Sequence, residues 1–170
     1  MRRLLAALVV FGVTVATWAI PASAGTSSVK VHSDPNDTSS VLDIRKVGTD
    51  QTRRLVFTGI ISWDPFSAGD VTFQDDSFWV FFLDTKGRGK ADRRIFLGYD
   101  QDDARFECDV FIVGGGFKGQ RAASTSSDQI TCVTPKKWYD IEKPVRIGVE
   151  AYENNNFRDR APDDGRYVGL

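Results

Sequence analysis

Apolar and polar residues alternate with a period of two along much of this sequence, and this alternation limits the fold more than any other feature. The clearest segments are residues 53–62, 105–112 and 145–152. Because successive side chains of a strand point to opposite faces of a sheet, each segment is predicted to be a strand with one buried face. No ten-residue stretch after residue 24 has the spacing of an amphipathic helix.

Turn-forming residues separate these segments. Residues 77–84 are nearly all apolar and predict a central strand buried on both faces, and the glycines and charges of 84–92 predict a hairpin into the next alternation at 95–99. Six or more strands without helices to cover a parallel sheet favour an all-β fold. We predict an antiparallel β-sandwich, immunoglobulin-like or jelly-roll-like, of about seven to nine strands. A closed barrel is the alternative.

Residues 1–24 have the pattern of a secretory signal peptide. Two arginines precede an apolar run over 4–20, and Ala22 and Ala24 supply the small residues of a cleavage site. An uncleaved membrane anchor is the alternative, but the run is at the short end of the spanning range and polar residues follow it. We therefore predict a secreted, extracellular protein that leaves the membrane after cleavage, with a single domain over 25–170.

Cys108 and Cys132 are the two cysteines of the 170-residue chain. Both belong to the predicted inward faces of their strands. In an oxidising compartment they predict one intramolecular disulfide. A redox pair is the alternative, but such pairs usually stand close together as Cys-x-x-Cys.

The charge balance argues against nucleic acid as a partner. The chain has 22 Lys and Arg against 23 Asp and Glu, a net charge of −1, whereas binding to phosphates needs a surplus of basic residues. One histidine, His32, excludes a multi-histidine zinc site and gives little support to a Ser/His/Asp triad. No nucleophile elbow is present, and no spacing singles out a carboxylate pair for glycoside hydrolysis. We therefore predict a protein that is not an enzyme.

Four oxygen-bearing side chains cluster near the first predicted strand: Asp34, Asn36, Asp37 and Asp43. Carboxylate and amide oxygens are the ligands of Ca2+, so this cluster is a candidate calcium site. The alternative is a turn fixed by Pro35, in which the aspartates bond local backbone amides. A third acidic turn at 159–165 completes the site if the two ends of the domain meet.

The segment from Asp84 to Asp92 has the aspartate and glycine spacing of part of a calcium loop. Lys86 and Arg88 stand where oxygen donors are needed. Two cations in place of two ligands favour a solvated hairpin turn.

Trp63, Trp138 and Tyr139 are candidate ligand-binding aromatics, because exposed rings stack on sugars or on partner proteins. The alternative is partial burial of the same rings in the fold.

The order of the turn motifs at 34–37, 42–44, 83–93 and 159–165 resembles a family of secreted actinobacterial β-sandwich domains of unknown function, similar to DOMON and carbohydrate-binding sandwich modules. The resemblance covers nearly all of 25–170. It implies a binding or accessory role without a catalytic residue to transfer. The predicted function is therefore a secreted, non-catalytic binding domain for a glycan or cell-wall polymer. The alternatives are a protein-interaction module, such as an inhibitor or adhesion domain that binds a secreted protein, and a small secreted hydrolase.

Overall fold

The structure is a computed structural model. It describes residues 30–35, 42–52, 54–62, 77–126, 129–163 and 167–169. The signal peptide predicted over 1–24 lies outside these ranges and stays a prediction. Within them, no helix is long and apolar enough to cross a membrane.

The described residues form twelve strands and one short 3-10 turn at Lys136–Trp138. In chain order the strands are β1 (Lys30–Ser33), β2 (Ile44–Gln51), β3 (Leu55–Ser62), β4 (Phe78–Asp84), β5 (Arg93–Asp100), β6 (Arg105–Ile112), β7 (Phe117–Ala122), β8 (Ser124–Thr125), β9 (Gln129–Pro135), β10 (Arg146–Glu153), β11 (Asn156–Ala161) and β12 (Val168–Gly169).

The strands build two antiparallel sheets that pack together. The five-stranded sheet has the order β1-β2-β3-β9-β8, and the seven-stranded sheet has the order β11-β10-β4-β5-β6-β7 with β12 beside β10. The chain moves to the seven-stranded sheet after β3, returns for β8 and β9, and crosses again before β10. The predicted antiparallel β-sandwich is confirmed, with twelve strands in the described residues in place of the predicted seven to nine.

The core lies between the inner faces of the two sheets, where alternate residues of the central strands are buried. On β4, Trp79, Phe81 and Leu83 are 0% exposed. Burying a large apolar side chain stabilises the fold by roughly 1.5–3 kcal/mol, so this row contributes strongly to stability. Phe78 and Phe82, on the other face of β4, are only partly buried. The apolar run at 77–84 therefore has one fully buried face and an outer face that is partly buried, on which Val80 is 4% exposed between the two phenylalanines.

The disulfide between Cys108 and Cys132 is confirmed, with a Cα–Cα distance of 6.0 Å. It joins β6 of one sheet to β9 of the other, and both cysteines are fully buried. The loop that it closes spans 24 positions, for which chain entropy gives a stabilisation of about 3 kcal/mol.

Candidate binding groove on the outer sheet face

Six aromatic side chains form a continuous row across the outer face of the seven-stranded sheet. In spatial order this aromatic row is Phe157, Tyr152, Phe78, Phe96, Phe111 and Phe117, from β11, β10, β4, β5, β6 and β7. Neighbouring ring centroids lie between 5.1 and 6.1 Å apart. These separations fall in the range where aromatic rings attract one another.

Strand register brings these rings together. Tyr152 lies opposite both Phe157 and Phe78, and Phe111 lies opposite Phe117. Side chains alternate between the two faces of the sheet along each strand, and residues directly opposite each other on neighbouring strands point to the same face. The paired rings therefore lie together on the outer face. The rings at the two ends, Phe157 and Phe117, are 52% and 57% exposed.

A groove of about 500 Å³ lies along the middle of the aromatic row. Its apolar wall comes from Phe78, Phe96 and Phe111. Gly98 lies opposite Phe78 on one side and Glu107 on the other, and it adds no side chain between them. A Cβ at this glycine would lie 3.6 Å from the Cβ of Phe78, an ordinary contact. The groove is therefore open where a larger residue would fill it.

The polar wall of the groove consists of Asp100, Glu107, Asp109 and Gln120. Arg105 donates to Oε1 of Glu107 from Nε at 2.8 Å and from a terminal nitrogen at 2.5 Å. Gln120 donates to Oε2 of the same carboxylate. Glu107 is thus held by two partners.

Asp100 and Asp109 differ in their partners. Oδ1 of Asp100 accepts the backbone N–H groups of Asp102 at 2.9 Å and of Asp103 at 3.1 Å. Oδ1 of Asp109 is buried and has no hydrogen-bond partner among the described residues. Burial, and then the charges of Glu107 and Asp100, raise the pKa of Asp109. Asp109 is therefore the carboxyl of the groove with a buried oxygen that lacks a hydrogen bond among the described residues.

The predicted calcium ligands fall partly outside the described residues, since Asn36 and Asp37 are not described. Asp34 and Asp43 are 7% and 3% exposed. Asp43 forms an ion pair of 3.2 Å with Arg45. The four predicted ligands are not seen together in the described part of the chain.

Asp34 does meet the acidic turn near the C-terminus. Carboxylate oxygens of Asp34, Asp159 and Asp163 all lie within 4.8 Å of one another. Asp159 accepts the backbone N–H of Ile44 at 2.6 Å and that of Arg160 at 2.7 Å. These three side chains can offer oxygen ligands to a cation, and calcium binding here stays a prediction.

A second acidic group, Asp100, Asp103 and Glu107, borders the groove. Arg105 forms ion pairs with Asp103 at 2.7 Å and with Glu107 at 2.5 Å. The hydrogen bond that Arg105 donates to Glu107 raises the pKa of Arg105, so the guanidinium stays charged and neutralises part of this group.

The Asp84 turn is a hairpin between β4 and β5, as predicted. Its carboxylate accepts the backbone N–H groups of Lys86, Arg88 and Gly89 at 2.7 to 3.3 Å. Burial acts to raise the pKa of Asp84, but the backbone hydrogen bonds together outweigh it and the pKa is lowered. The carboxylate stabilises the turn.

Of the predicted ligand-binding aromatics, Trp63 lies outside the described residues. Tyr139 is 0% exposed, and its hydroxyl lies 2.5 Å from that of Thr134. Burial raises the pKa of Tyr139 to about 12. This ring is part of the core and has no free face.

Trp138 is half-buried and lies beneath the guanidinium of Arg121, 5.6 Å from the ring centroid. A Cβ at Gly119 would lie 2.5 Å from the Trp138 ring, so this contact requires glycine. Neither Trp138 nor Tyr139 lines the groove. The aromatic row was not predicted from the sequence, although one signal points to it: Phe111 falls on the polar face of its predicted strand, beside Glu107 and Asp109.

The fold and this site define a disulfide-linked, two-sheet β-sandwich with an aromatic and acidic groove on one outer face. Comparison of the chain with protein-family models, with curated proteins and with solved structures finds no match. The resemblance to secreted actinobacterial sandwich domains therefore stays a prediction.

Proposed function

We propose that this protein is a secreted, non-catalytic binding domain that holds a glycan or cell-wall polymer in the groove of the seven-stranded sheet. The observation that carries this proposal is the combination of three ring side chains with carboxyl and amide groups in one open groove. Pockets of this composition bind small molecules through apolar contact and fix their orientation through a few polar groups.

The aromatic wall suits the C–H faces of pyranose rings. Phe78 and Tyr152 stack against each other with an angle of 18° between their planes, which fixes the orientation of one of the groove rings. The row crosses six strands, and neighbouring strands lie about 4.8 Å apart, which gives a row of roughly 24 Å. That length favours a chain of sugars over a single sugar.

The polar wall suits hydroxyl groups. Carboxylates accept hydrogen bonds from sugar hydroxyls, and an amide both donates and accepts. Charged acceptors make stronger hydrogen bonds than neutral ones. Asp109 and Gln120 therefore fix the orientation of a sugar that stacks on the rings.

Binding is favoured over hydrolysis by the state of Glu107. Hydrolysis of a glycosidic bond uses two carboxyl groups, one as acid and the other as nucleophile or base. Arg105 and Gln120 occupy both oxygens of Glu107, which is the carboxyl nearest to Asp109 along β6. The buried disulfide supports an oxidising compartment. N-terminal sequencing of the exported protein tests secretion, with Gly25 as the expected first residue.

The proposal is tested by measuring the binding of the purified protein to insoluble cell-wall polysaccharides and, by calorimetry, to soluble oligosaccharides. Phe96→Ala removes a ring from the groove, and we expect at least about a tenfold loss of affinity, as for truncated aromatic anchors of other interfaces. Phe82→Ala is the matched control, because Phe82 lies on the same sheet face but does not line the groove.

A second variant tests the site without removing a contact of the fold. Gly98→Val puts methyl groups into the groove at a position where a Cβ is sterically accepted. We expect it to keep its unfolding temperature and to lose glycan binding. Unchanged binding in both groove variants would contradict the proposal, and release of reducing sugars by the wild-type protein would contradict its non-catalytic part.

A further inference from the structure

The charges of the groove are of one sign. Among its lining residues, Asp100, Glu107 and Asp109 are acidic, and none is lysine, arginine or histidine. A groove lined by one sign of charge attracts ligands of the opposite sign.

Of the three carboxyl groups in the groove, Asp109 has the fewest partners that compensate its charge. Glu107 is neutralised by Arg105, and Asp100 accepts two backbone N–H groups. In the described part of the chain, Oδ1 of Asp109 is buried without a hydrogen-bond partner. Asp109 as a whole is only half-buried, so a ligand can reach this carboxyl, and a ligand that brings a charged donor supplies the hydrogen bond that it lacks.

No lysine, arginine or histidine is among the residues that line the groove beside Asp109, and Lys118 of β7 is exposed and does not line it. Phe96 of β5 and Gln120 of β7 lie directly opposite it. Arg121, the next residue of β7, faces the other side of the sheet and lies over Trp138. Arg94 of β5 lies over Phe82, 5.4 Å from its ring centroid.

Two rings stand beside this carboxyl. Phe96 is opposite Asp109, and Phe111 follows two residues later on the same face of β6. Their centroids are 5.5 Å apart at an angle of 87°. Aromatic faces attract cations, and this attraction is strongest where water is excluded. A cation at Asp109 thus gains from a carboxylate and from two neighbouring rings.

We propose that the groove selects glycans that carry free amino groups, with a protonated amine of an amino sugar held by Asp109 between Phe96 and Phe111. This inference rests on the proposed function and names the class of sugar for that site. An N-acetylated sugar has no positive charge on its nitrogen, and an acidic sugar carries a negative charge that Asp109 repels.

The proposal implies a pH dependence. The groups that face Asp109 are Glu107 on its own strand, Asp100 on β5 and the uncharged Gln120 on β7, with Arg105 acting through Glu107. Burial and the two carboxylates raise the pKa of Asp109, and a bound ammonium favours its ionised form. Affinity should therefore rise as pH increases through the pKa of Asp109, until the amine itself loses its proton.

The test compares three hexamers by calorimetry at low salt and near-neutral pH: a glucosamine hexamer, an N-acetylglucosamine hexamer and a glucose hexamer. We expect the wild-type protein to bind the glucosamine hexamer roughly tenfold more tightly than the other two, since a hydrogen bond to a charged group contributes about 1.5–3 kcal/mol. Asp109→Asn should remove this preference and the rise of affinity with pH. Asp102→Asn is the matched control, because it removes the same charge from an exposed position beside the groove.

The outcomes separate this inference from the proposed function. Equal binding of all three hexamers, or a preference that survives in Asp109→Asn, would overturn the inference and leave glycan binding standing. Binding of none of the three would contradict both. A lysine hexapeptide is the fourth probe: its binding in place of the sugars would contradict both proposals in favour of a basic protein partner.

Discussion

Glu107 and Asp109 stand two residues apart on the outer face of β6 and line the same groove, yet their surroundings differ. Arg105 and Gln120 hold both oxygens of Glu107. Oδ1 of Asp109, by contrast, is buried without a partner among the described residues. One carboxyl thus supports the fold, whereas the other lowers its stability.

The first prediction concerns the stability of Asp109→Asn. Because burial and nearby carboxylates raise the pKa of Asp109 in the folded protein, ionising this group destabilises the fold. The stabilisation that the protonated Asp109 carboxyl gives to the fold is fully present below about pH 3.8, its pKa in the unfolded chain. This stabilisation is lost as pH rises through the higher pKa of Asp109 in the folded protein. The variant should therefore become more stable relative to wild type as pH increases over that window. Urea unfolding across the pH range measures this difference.

The matched control for this experiment is Asp102→Asn, which changes the net charge equally at an exposed position. The difference in free energy of unfolding between Asp102→Asn and wild type should stay nearly constant over the same pH window. A similar slope in both variants would mean that net charge, and not the surroundings of Asp109, sets the pH dependence.

Alternation made the core strands predictable from sequence. Cys108 and Val110 were placed on the inward face of their strand, and both are fully buried. Strands without alternation gave no such signal. β7 (Phe117–Ala122) is exposed along nearly its whole length, and most of β11 (Asn156–Ala161) is exposed as well. Strands with little burial do not need the period-two pattern, because their pairing depends mainly on backbone hydrogen bonds.

The groove could not be predicted because it depends on the relative register of strands from distant parts of the chain. Asp109 meets Phe96 on one side and Gln120 on the other only through the pairing of β5, β6 and β7. A shift of one residue in any of these strands would turn its groove side chains to the core. The sequence predicts a meeting of Asp34 and the 159–165 turn only on the condition that the two ends of the domain meet. The contact between β2 and β11 of the two sheets, where Ile44 donates its backbone N–H to Asp159, meets that condition.

The second prediction concerns the disulfide between the sheets. Replacing both Cys108 and Cys132 with alanine should lower the free energy of unfolding by about 3 kcal/mol, because the unfolded chain is no longer closed into a loop. Urea unfolding of the variant and of the wild-type protein with and without a reductant measures this loss. Agreement between the variant and the reduced wild-type protein is expected, and a loss below about 1 kcal/mol would contradict the entropy argument.

The third prediction compares two buried threonines on neighbouring strands. Thr58 of β3 and Thr134 of β9 are both 0% exposed. The hydroxyl of Thr58 has no hydrogen-bond partner in the described ranges, whereas that of Thr134 bonds the carbonyl of Val56 and the hydroxyl of Tyr139. Thr58→Val should leave stability unchanged or raise it by about 1 kcal/mol, because it removes an unsatisfied polar group.

Thr134→Val is the matched control for that experiment, since it makes the same replacement where the hydroxyl is bonded. It should lower the free energy of unfolding by roughly 1–3 kcal/mol, because Tyr139 and the carbonyl of Val56 each lose a partner. Equal losses in the two variants would show that the Thr58 hydroxyl has a stabilising contact.

The last prediction tests calcium at the junction of the two chain ends, where carboxylate oxygens of Asp34, Asp159 and Asp163 lie within 4.8 Å. A cation that binds only the folded state raises stability by about 2.7 kcal/mol at a hundredfold excess over its Kd. Thermal unfolding with Ca2+ and with chelator should then differ by several degrees. Asp163→Asn, at the exposed member of the group, should remove this difference. Asp103→Asn, in the other acidic group, should preserve it. Identical unfolding with Ca2+ and with chelator would contradict calcium binding and leave the group a structural role, in which Asp159 accepts the backbone N–H groups of Ile44 and Arg160.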